Sequence, residues 1–122
     1  MFSSVEHSIE WAEGILGIQV GTYAPDDSDE MDSFCIVERT GGEIDYPHDS
    51  PDITFQIWAK TGLGAETQAN MLAISAKMRP MDDPHVNGMG VPEMMTYGRE
   101  EGGWFVWQVS IPLNVNLLDK ED

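Results

Sequence analysis

The stretch Asp52–Lys60, DITFQIWAK, alternates along its whole length between two kinds of side chain. Successive residues of an extended chain point to opposite faces of a sheet, so this alternation predicts a β-strand. One face carries apolar side chains, namely Ile53, Phe55, Ile57 and Ala59. The other carries Thr54, Gln56, Trp58 and Lys60. The apolar face is expected to lie on the core of the domain.

Further elements are predicted outward from this strand in both directions. Two helices are expected, at Ser3–Leu16 and Ala65–Arg79. Ser3 followed by Glu6 fits a capping box, and Pro80 is expected to end the second helix. Further strands are expected at Ile18–Tyr23, Phe34–Thr40, Glu93–Tyr97 and Trp104–Asn116. Loops or turns are expected at Pro25–Asp32, Glu43–Pro51, Thr61–Gly64, Met81–Pro92 and Gly98–Gly103.

This order of elements predicts the fold class. Hairpin-connected strands with only two helices indicate an α+β protein. We expect an antiparallel sheet of four to five strands with both helices packed on one face. Residues 1–116 are predicted to form a single domain, followed by a short acidic C-terminal tail at 117–122. Pro112 cannot donate a backbone hydrogen bond, so it is expected at a bulge or a sheet edge.

Composition limits the possible functions. The chain has 122 residues, with 22 acidic against 6 basic side chains and a formal net charge of −16. So acidic a protein is not expected to bind nucleic acid or an anionic membrane. No apolar run approaches the roughly 20 residues of a membrane span, and the N-terminus does not read as a signal peptide. We therefore expect an intracellular protein with no membrane contact.

No motif for catalysis, a cofactor or a metal is recognised. Asp27 to Glu38 has part of a calcium-loop spacing but lacks the central glycine. His48 has no neighbouring histidine or cysteine to complete a zinc site. Cys35 lies in a predicted strand and reads as a small buried hydrophobe. Gly62-Leu63-Gly64 lacks the remainder of a phosphate-binding motif. The chain is expected not to be an enzyme.

The aromatic residues of the predicted strands point to both faces of the sheet. Trp58 is expected on the face of its strand opposite Ile57, and Trp104 on the face of its strand opposite Trp107. Large apolar groups on both faces suggest contacts with another subunit, and Trp58, Trp104 and Trp107 are the candidate contact residues. The alternative is that the helices and the Met81–Pro92 loop cover both faces.

Four stretches, at Ser3–Leu16, Phe34–Thr61, Ala65–Met78 and Trp104–Val115, resemble parts of the tail terminator, or tail completion, proteins of long-tailed bacteriophages. Ala65–Met78 resembles the Ala-rich helix that follows their central hairpin. SSVEHSIEWAEGIL (Ser3–Leu16) resembles their N-terminal helix. FCIVERTGGEIDYPHDSPDITFQIWAKT (Phe34–Thr61) resembles their central hairpin, with an R-T-G-G and a W-A pair. WFVWQVSIPLNV (Trp104–Val115) resembles their final strand. The family's second helix usually follows the hairpin directly, whereas Gly62 and Gly64 predict an intervening turn here.

The resemblance implies an α+β subunit that assembles as a ring, typically of six copies. Such a ring caps the head-proximal end of the tail tube, stops its growth and contacts the neck proteins. DNA passes through without being read. The implied location is the tail–neck junction of the virion, after assembly in the bacterial host cytoplasm. An acidic wall would let DNA slide. The candidate wall is the Gly98–Gly103 hairpin or the acidic loop with Asp26, Asp27, Asp29, Glu30 and Asp32.

Two other functions remain open from the sequence. A head–tail joining or stopper protein of the neck would have a similar size and a similar sequence pattern. An acidic inhibitor that mimics DNA would use a carboxylate-rich face. The second helix argues against the inhibitor, because Glu66 is its only acid against Lys77 and Arg79.

Overall fold

The computed structural model describes residues 1–119 and has an α+β architecture, as predicted. No helix in this part of the chain has the length and apolar character needed to cross a bilayer. The elements in chain order are α1 Ser4–Leu16, β1 Val20–Gly21, β2 Ser33–Gly41, β3 Ile44–Asp45, β4 His48–Asp49, β5 Asp52–Ala59, α2 Gly62–Met78, β6 Val86–Met89, β7 Glu93–Arg99 and β8 Phe105–Asn116. Short 3-10 turns lie at Ser28–Glu30 and Glu101–Gly103.

The predicted sheet of four to five antiparallel strands is wrong, because the sheet has eight strands and is mixed. β8 is its central strand, with β5 antiparallel on one side and β7 antiparallel on the other. β2 pairs with β5, and the two-residue β1 runs parallel to β2. The far end of β8 pairs with β4 and β6, and β3 pairs with β4. The additional strands lie in the predicted loops Glu43–Pro51 and Met81–Pro92.

Pro112 lies where β8 changes partners. It is the last residue of β8 in register with β5, opposite Asp52. The next residue, Leu113, donates its N–H to the Pro51 carbonyl at 2.8 Å. On the other side, Gly90 donates its N–H to the Pro112 carbonyl at 2.7 Å. The missing proline donor thus falls at the junction between two sets of paired strands, where a ladder bond is least needed.

Both helices begin at a capping side chain. The Ser3 hydroxyl accepts the Glu6 N–H at 3.2 Å, as the capping box predicts, and Gly17 ends α1 with a positive φ of 65°. The Thr61 hydroxyl accepts the Gly64 N–H at 3.0 Å. The predicted turn at Thr61–Gly64 is therefore wrong, because Thr61 is an N-cap and the two glycines lie in the first turn of α2.

The core lies between the helices and one face of the sheet. The predicted apolar face of β5 is fully buried there, with Ile53, Phe55 and Ile57 each 0% exposed. Leu72 of α2 packs in the same cluster. Each such side chain contributes about 1.5–3 kcal/mol by leaving water. Leu117 of the predicted tail also packs in this cluster. The last predicted tail residues, Lys120–Asp122, lie outside the described residues.

Candidate assembly surfaces

The acidic loop between β1 and β2 presents its carboxylates to solvent. The five predicted acids are all exposed: Asp26, Asp27, Asp29, Glu30 and Asp32. Its backbone is folded by a 3-10 turn, in which Glu30 donates its N–H to the Asp27 carbonyl at 3.0 Å. The Met31 N–H bonds the Ser28 carbonyl at 2.9 Å. The loop is therefore shaped by its backbone and holds its charge outward.

Lys60 connects the acidic loop to the sheet. Its backbone N–H donates to the Asp32 carbonyl at 3.0 Å, and its Nζ donates to the Asp29 carbonyl at 2.8 Å. The same Nζ lies 5.0 Å from the centre of the Trp104 ring, within cation–π range. The structure thus brings the acidic loop next to one of the predicted contact tryptophans, a proximity that the sequence does not reveal.

Three aromatic side chains form a cluster on the sheet face opposite the helices. Phe34 stacks on Trp58 with ring centres 5.6 Å apart, and Trp104 meets Phe34 edge-on at 5.2 Å. Phe34 and Trp104 are buried, whereas Trp58 is half-buried. Trp107 lies on the other face and packs against the core. The structure therefore groups Trp58 with Trp104 and separates both from Trp107.

Strand β7 forms one edge of the sheet and is exposed throughout. Every residue from Glu93 to Arg99 is exposed, and within residues 1–119 the strand pairs only with β8. Its central side chains are large and mostly apolar, namely Met94, Met95 and Tyr97. The Tyr97 hydroxyl donates to the Gln108 side chain at 2.7 Å on the open face. An apolar edge strand of this kind is a template for pairing with another chain.

A groove of about 980 Å³ lies between α2 and the segment that carries β6 and β7. Its walls include four exposed apolar side chains: Ile74, Met78, Val91 and Met94. Lys77 lines it as well. None of these four residues is among the contact residues predicted from the sequence. A usable signal exists, because Met71, Ile74 and Met78 have the spacing of a second apolar stripe along α2.

Two observations bear on metal binding and on the reactivity of the cysteine. No group of three or more His, Cys, Asp or Glu side chains in residues 1–119 is placed to hold a metal ion. Cys35 is 1% exposed, as predicted, and burial raises the pKa of its thiol to about 12. A buried thiol in this state is not a nucleophile at neutral pH.

Comparison with known proteins found no family model and no curated sequence that matches this chain. A functional assignment therefore depends on the surfaces described above. These are an open edge strand, an apolar groove beside it, and an acidic loop joined to an aromatic cluster.

Proposed function

We propose that this chain is a structural ring protein of a long-tailed bacteriophage. In this proposal the ring, of about six copies, caps the head-proximal end of the tail tube. It stops tube growth, joins the tail to the neck, and lets viral DNA pass through its centre. The protein is not an enzyme and takes no cofactor. The observation that carries the proposal is the exposed edge strand β7 with its apolar side chains.

An edge like β7 is unusual for a protein that works alone. Monomers protect long edge strands with lysine, proline, tight bulges or a covering helix. β7 has a bulge between Thr96 and Gly98 but no lysine or proline, and its ionic residues, Glu93 and Arg99, stand at its two ends. Its middle is free to pair with, or pack against, a neighbouring protein. Assembly is the simplest use for such an edge.

The distribution of surfaces supports a ring rather than a symmetric dimer. The open edge and the groove lie on the β7 side of the sheet, whereas the acidic loop lies on the β1–β2 side. A chain with two different contact surfaces joins head to tail, and a head-to-tail contact closes into a ring when the rotation permits. A two-fold dimer would need only one self-complementary patch.

The charge is compatible with DNA passing through the assembly. Each copy adds a formal charge of −16. Phosphate contacts, which give non-specific DNA binding its affinity, require clustered Lys and Arg side chains. Of the basic residues in the described chain, Arg39 is paired with Asp49, and the Lys60 ammonium donates to the Asp29 carbonyl. A ring built from such copies repels the DNA backbone and does not retain it.

Tube growth provides the test of the proposal. Purified tail-tube protein from the same virus is polymerised with and without this chain, and tube lengths are measured by electron microscopy. The proposal predicts that the chain binds one tube end and stops elongation. A control protein of similar size and charge should leave the length distribution unchanged. Free elongation in the presence of the chain would contradict the terminator function.

The same experiment separates the neck alternative. A stopper protein would leave tube growth unaffected but would bind to finished tails or to the neck. An acidic DNA mimic would bind neither and would instead bind a DNA-binding enzyme or repressor. The terminator is preferred to the DNA mimic because the candidate contact surfaces, β7 and the groove, are apolar, whereas a DNA mimic acts through carboxylates.

A further inference from the structure

The groove between α2 and β7 has a specific chemistry that suggests its occupant. Its walls are apolar, with Ile74 and Met78 from α2 facing Val91 and Met94. Lys77 lines the groove, and Arg79 lies between two lining residues at the end of α2. Among the described side chains, neither Lys77 nor Arg79 forms an ion pair. The groove therefore suits a segment that is apolar at one end and acidic at the other.

We propose that this groove receives the segment Tyr23–Asp27 of a second copy of the same chain. The segment reads YAPDD, with an aromatic residue and a proline followed by two acids. Tyr23 is 74% exposed, so its ring is available for a partner. Asp26 and Asp27 are exposed as well. The tyrosine fits the apolar walls, and the two carboxylates fit Lys77 and Arg79. The inference rests on the proposed ring and names the contact that builds it.

The two halves of this contact lie on opposite sides of one molecule. Tyr23–Asp27 follows β1 at one sheet edge, and the groove borders β7 at the other. Four strand intervals separate these edges along the order β1-β2-β5-β8-β7, which is roughly 19 Å at normal strand spacing. A single copy therefore cannot fill its own groove. The contact is heterologous and passes from one copy to the next.

The segment is held in place before it binds. Ser28 donates its N–H to the Pro25 carbonyl at 3.1 Å, and Lys60 holds the Asp29 carbonyl at 2.8 Å. A preformed segment loses less conformational entropy on docking than a mobile one. The contact also occupies the start of the acidic loop. The Gly98–Gly103 turn then becomes the better candidate for the channel wall.

Charge reversal on each half gives a direct test. The groove variant combines K77E with R79E, and the loop variant combines D26K with D27K. Each variant alone places groove and loop charges of the same sign in contact. We therefore expect the association constant of the oligomer to fall by at least about tenfold. The mixture should restore the ring, because each variant's groove then faces the other's loop. The control variant combines E43K with D45K, which reverses two exposed acids in and just before β3.

Oligomer mass is measured by native mass spectrometry and sedimentation velocity, alone and with tail-tube protein, after circular dichroism has shown that each variant folds. Assembly of the wild type, the control and the mixture, but of neither variant alone, is the expected result. Variants that assemble like the wild type, or a mixture that is not restored, would overturn the inference while the proposed ring stands. If the variants form rings but no longer bind tubes, the groove receives the tube protein instead. That result would also overturn the inference. A wild type that forms no oligomer even with tubes would remove the proposed function itself.

Discussion

Arg39 and Asp49 form a bidentate ion pair across the loop that joins β2 to β5. Arg39 Nη1 and Nη2 lie 2.9 Å from the two carboxylate oxygens of Asp49. The same guanidinium donates to the carbonyls of Gly41 and Gly42, each at 3.1 Å. Asp49 is only 5% exposed. The R-T-G-G motif is thus a clamp, in which the arginine of the strand holds the backbone of the two glycines that follow it.

Removal of the arginine should destabilise the fold. R39A leaves the Asp49 carboxylate buried without its partner, and breaking a buried pair costs about 3 kcal/mol when one member is partly exposed. R39K should recover only part of this, because lysine cannot bond both carboxylate oxygens and both carbonyls. Urea unfolding measures the difference. E38A, at an exposed side chain of the same strand without an ion pair among the described residues, is the control and should change stability by less than about 0.5 kcal/mol.

The second glycine of the motif should be sensitive to a single methyl group. Gly42 has a φ of 100°, and an added Cβ would overlap the Ser50 carbonyl oxygen and lie 2.8 Å from Pro51 Cα. G42A should therefore destabilise the protein by more than about 1 kcal/mol. G14A is the contrasting variant, because Gly14 lies in α1 with no atom within 4 Å of its added Cβ. It should stabilise by about 0.5–1 kcal/mol. Equal effects of the two variants on thermal unfolding would contradict this account.

The sequence predicts those elements whose signals are local. The alternation in Asp52–Lys60 and the N-cap at Ser3 each depend on residues within one element. The strand and the bond from the Glu6 N–H to the Ser3 hydroxyl are both confirmed. β3, β4 and β6 are only two to four residues long and contain polar residues or glycine. They are strands because they pair with the end of β8. That pairing is a long-range contact with no periodicity to reveal it.

The candidate assembly surfaces also include one part that local sequence patterns predict and one part that they do not. Alternation correctly places Trp104 opposite Trp107 in one strand and Trp58 opposite Ile57 in another, because side-chain direction along a strand is local. That Trp58 and Trp104 share a face follows only from the pairing of β5 with β8. The groove could not be predicted by the same means. Ile74 belongs to α2 and Val91 to the segment before β7, so only the packing of α2 on the sheet brings them together.

The carboxylate of Asp83, which lies beside His7 of α1, should make the stability of the fold depend on pH in the acid range. Asp83 Oδ1 accepts the His85 backbone N–H at 2.8 Å, and Oδ2 lies 3.3 Å from His7 Nε2. The hydrogen bond from the His85 backbone, with the neighbouring histidines, lowers the Asp83 pKa below its ordinary value of 3.8. Phe2 stacks on both histidine rings, at 4.3 and 4.9 Å. The cluster ties α1 to the segment before β6.

A pKa that is lower in the folded than in the unfolded state stabilises the fold at pH values above the unfolded pKa. The stabilisation from Asp83 is therefore complete at neutral pH and is lost as pH falls through its lowered pKa. The free energy of unfolding of D83N should be below that of the wild type at about pH 7, and the gap should close in strong acid. D82N, which makes the same substitution at an exposed neighbour, is the control and should unfold with a free energy close to that of the wild type. A gap independent of pH would point to lost packing instead.

Cys35 should be inert in the folded protein. Its thiol is 1% exposed in β2, and burial raises its pKa to about 12, so almost no thiolate is present at neutral pH. Labelling by a thiol reagent should proceed only through opening of the fold. We expect a rate far below that of the urea-unfolded chain. R39A should accelerate labelling by about tenfold for each ~1.4 kcal/mol of stability that it loses. Rapid labelling under native conditions would show that β2 is accessible.

The native mass of the full chain, measured over a concentration series with and without tail-tube protein, tests the ring most directly. The exposed β7 strand and its neighbouring groove favour assembly of several copies. The proposed ring, with the six copies that the resemblance to tail terminator proteins implies, should appear as a discrete species of about six subunits, formed either by the chain alone or on the end of a tube. A chain that remains monomeric at every concentration and also fails to bind the tube would contradict the proposed function.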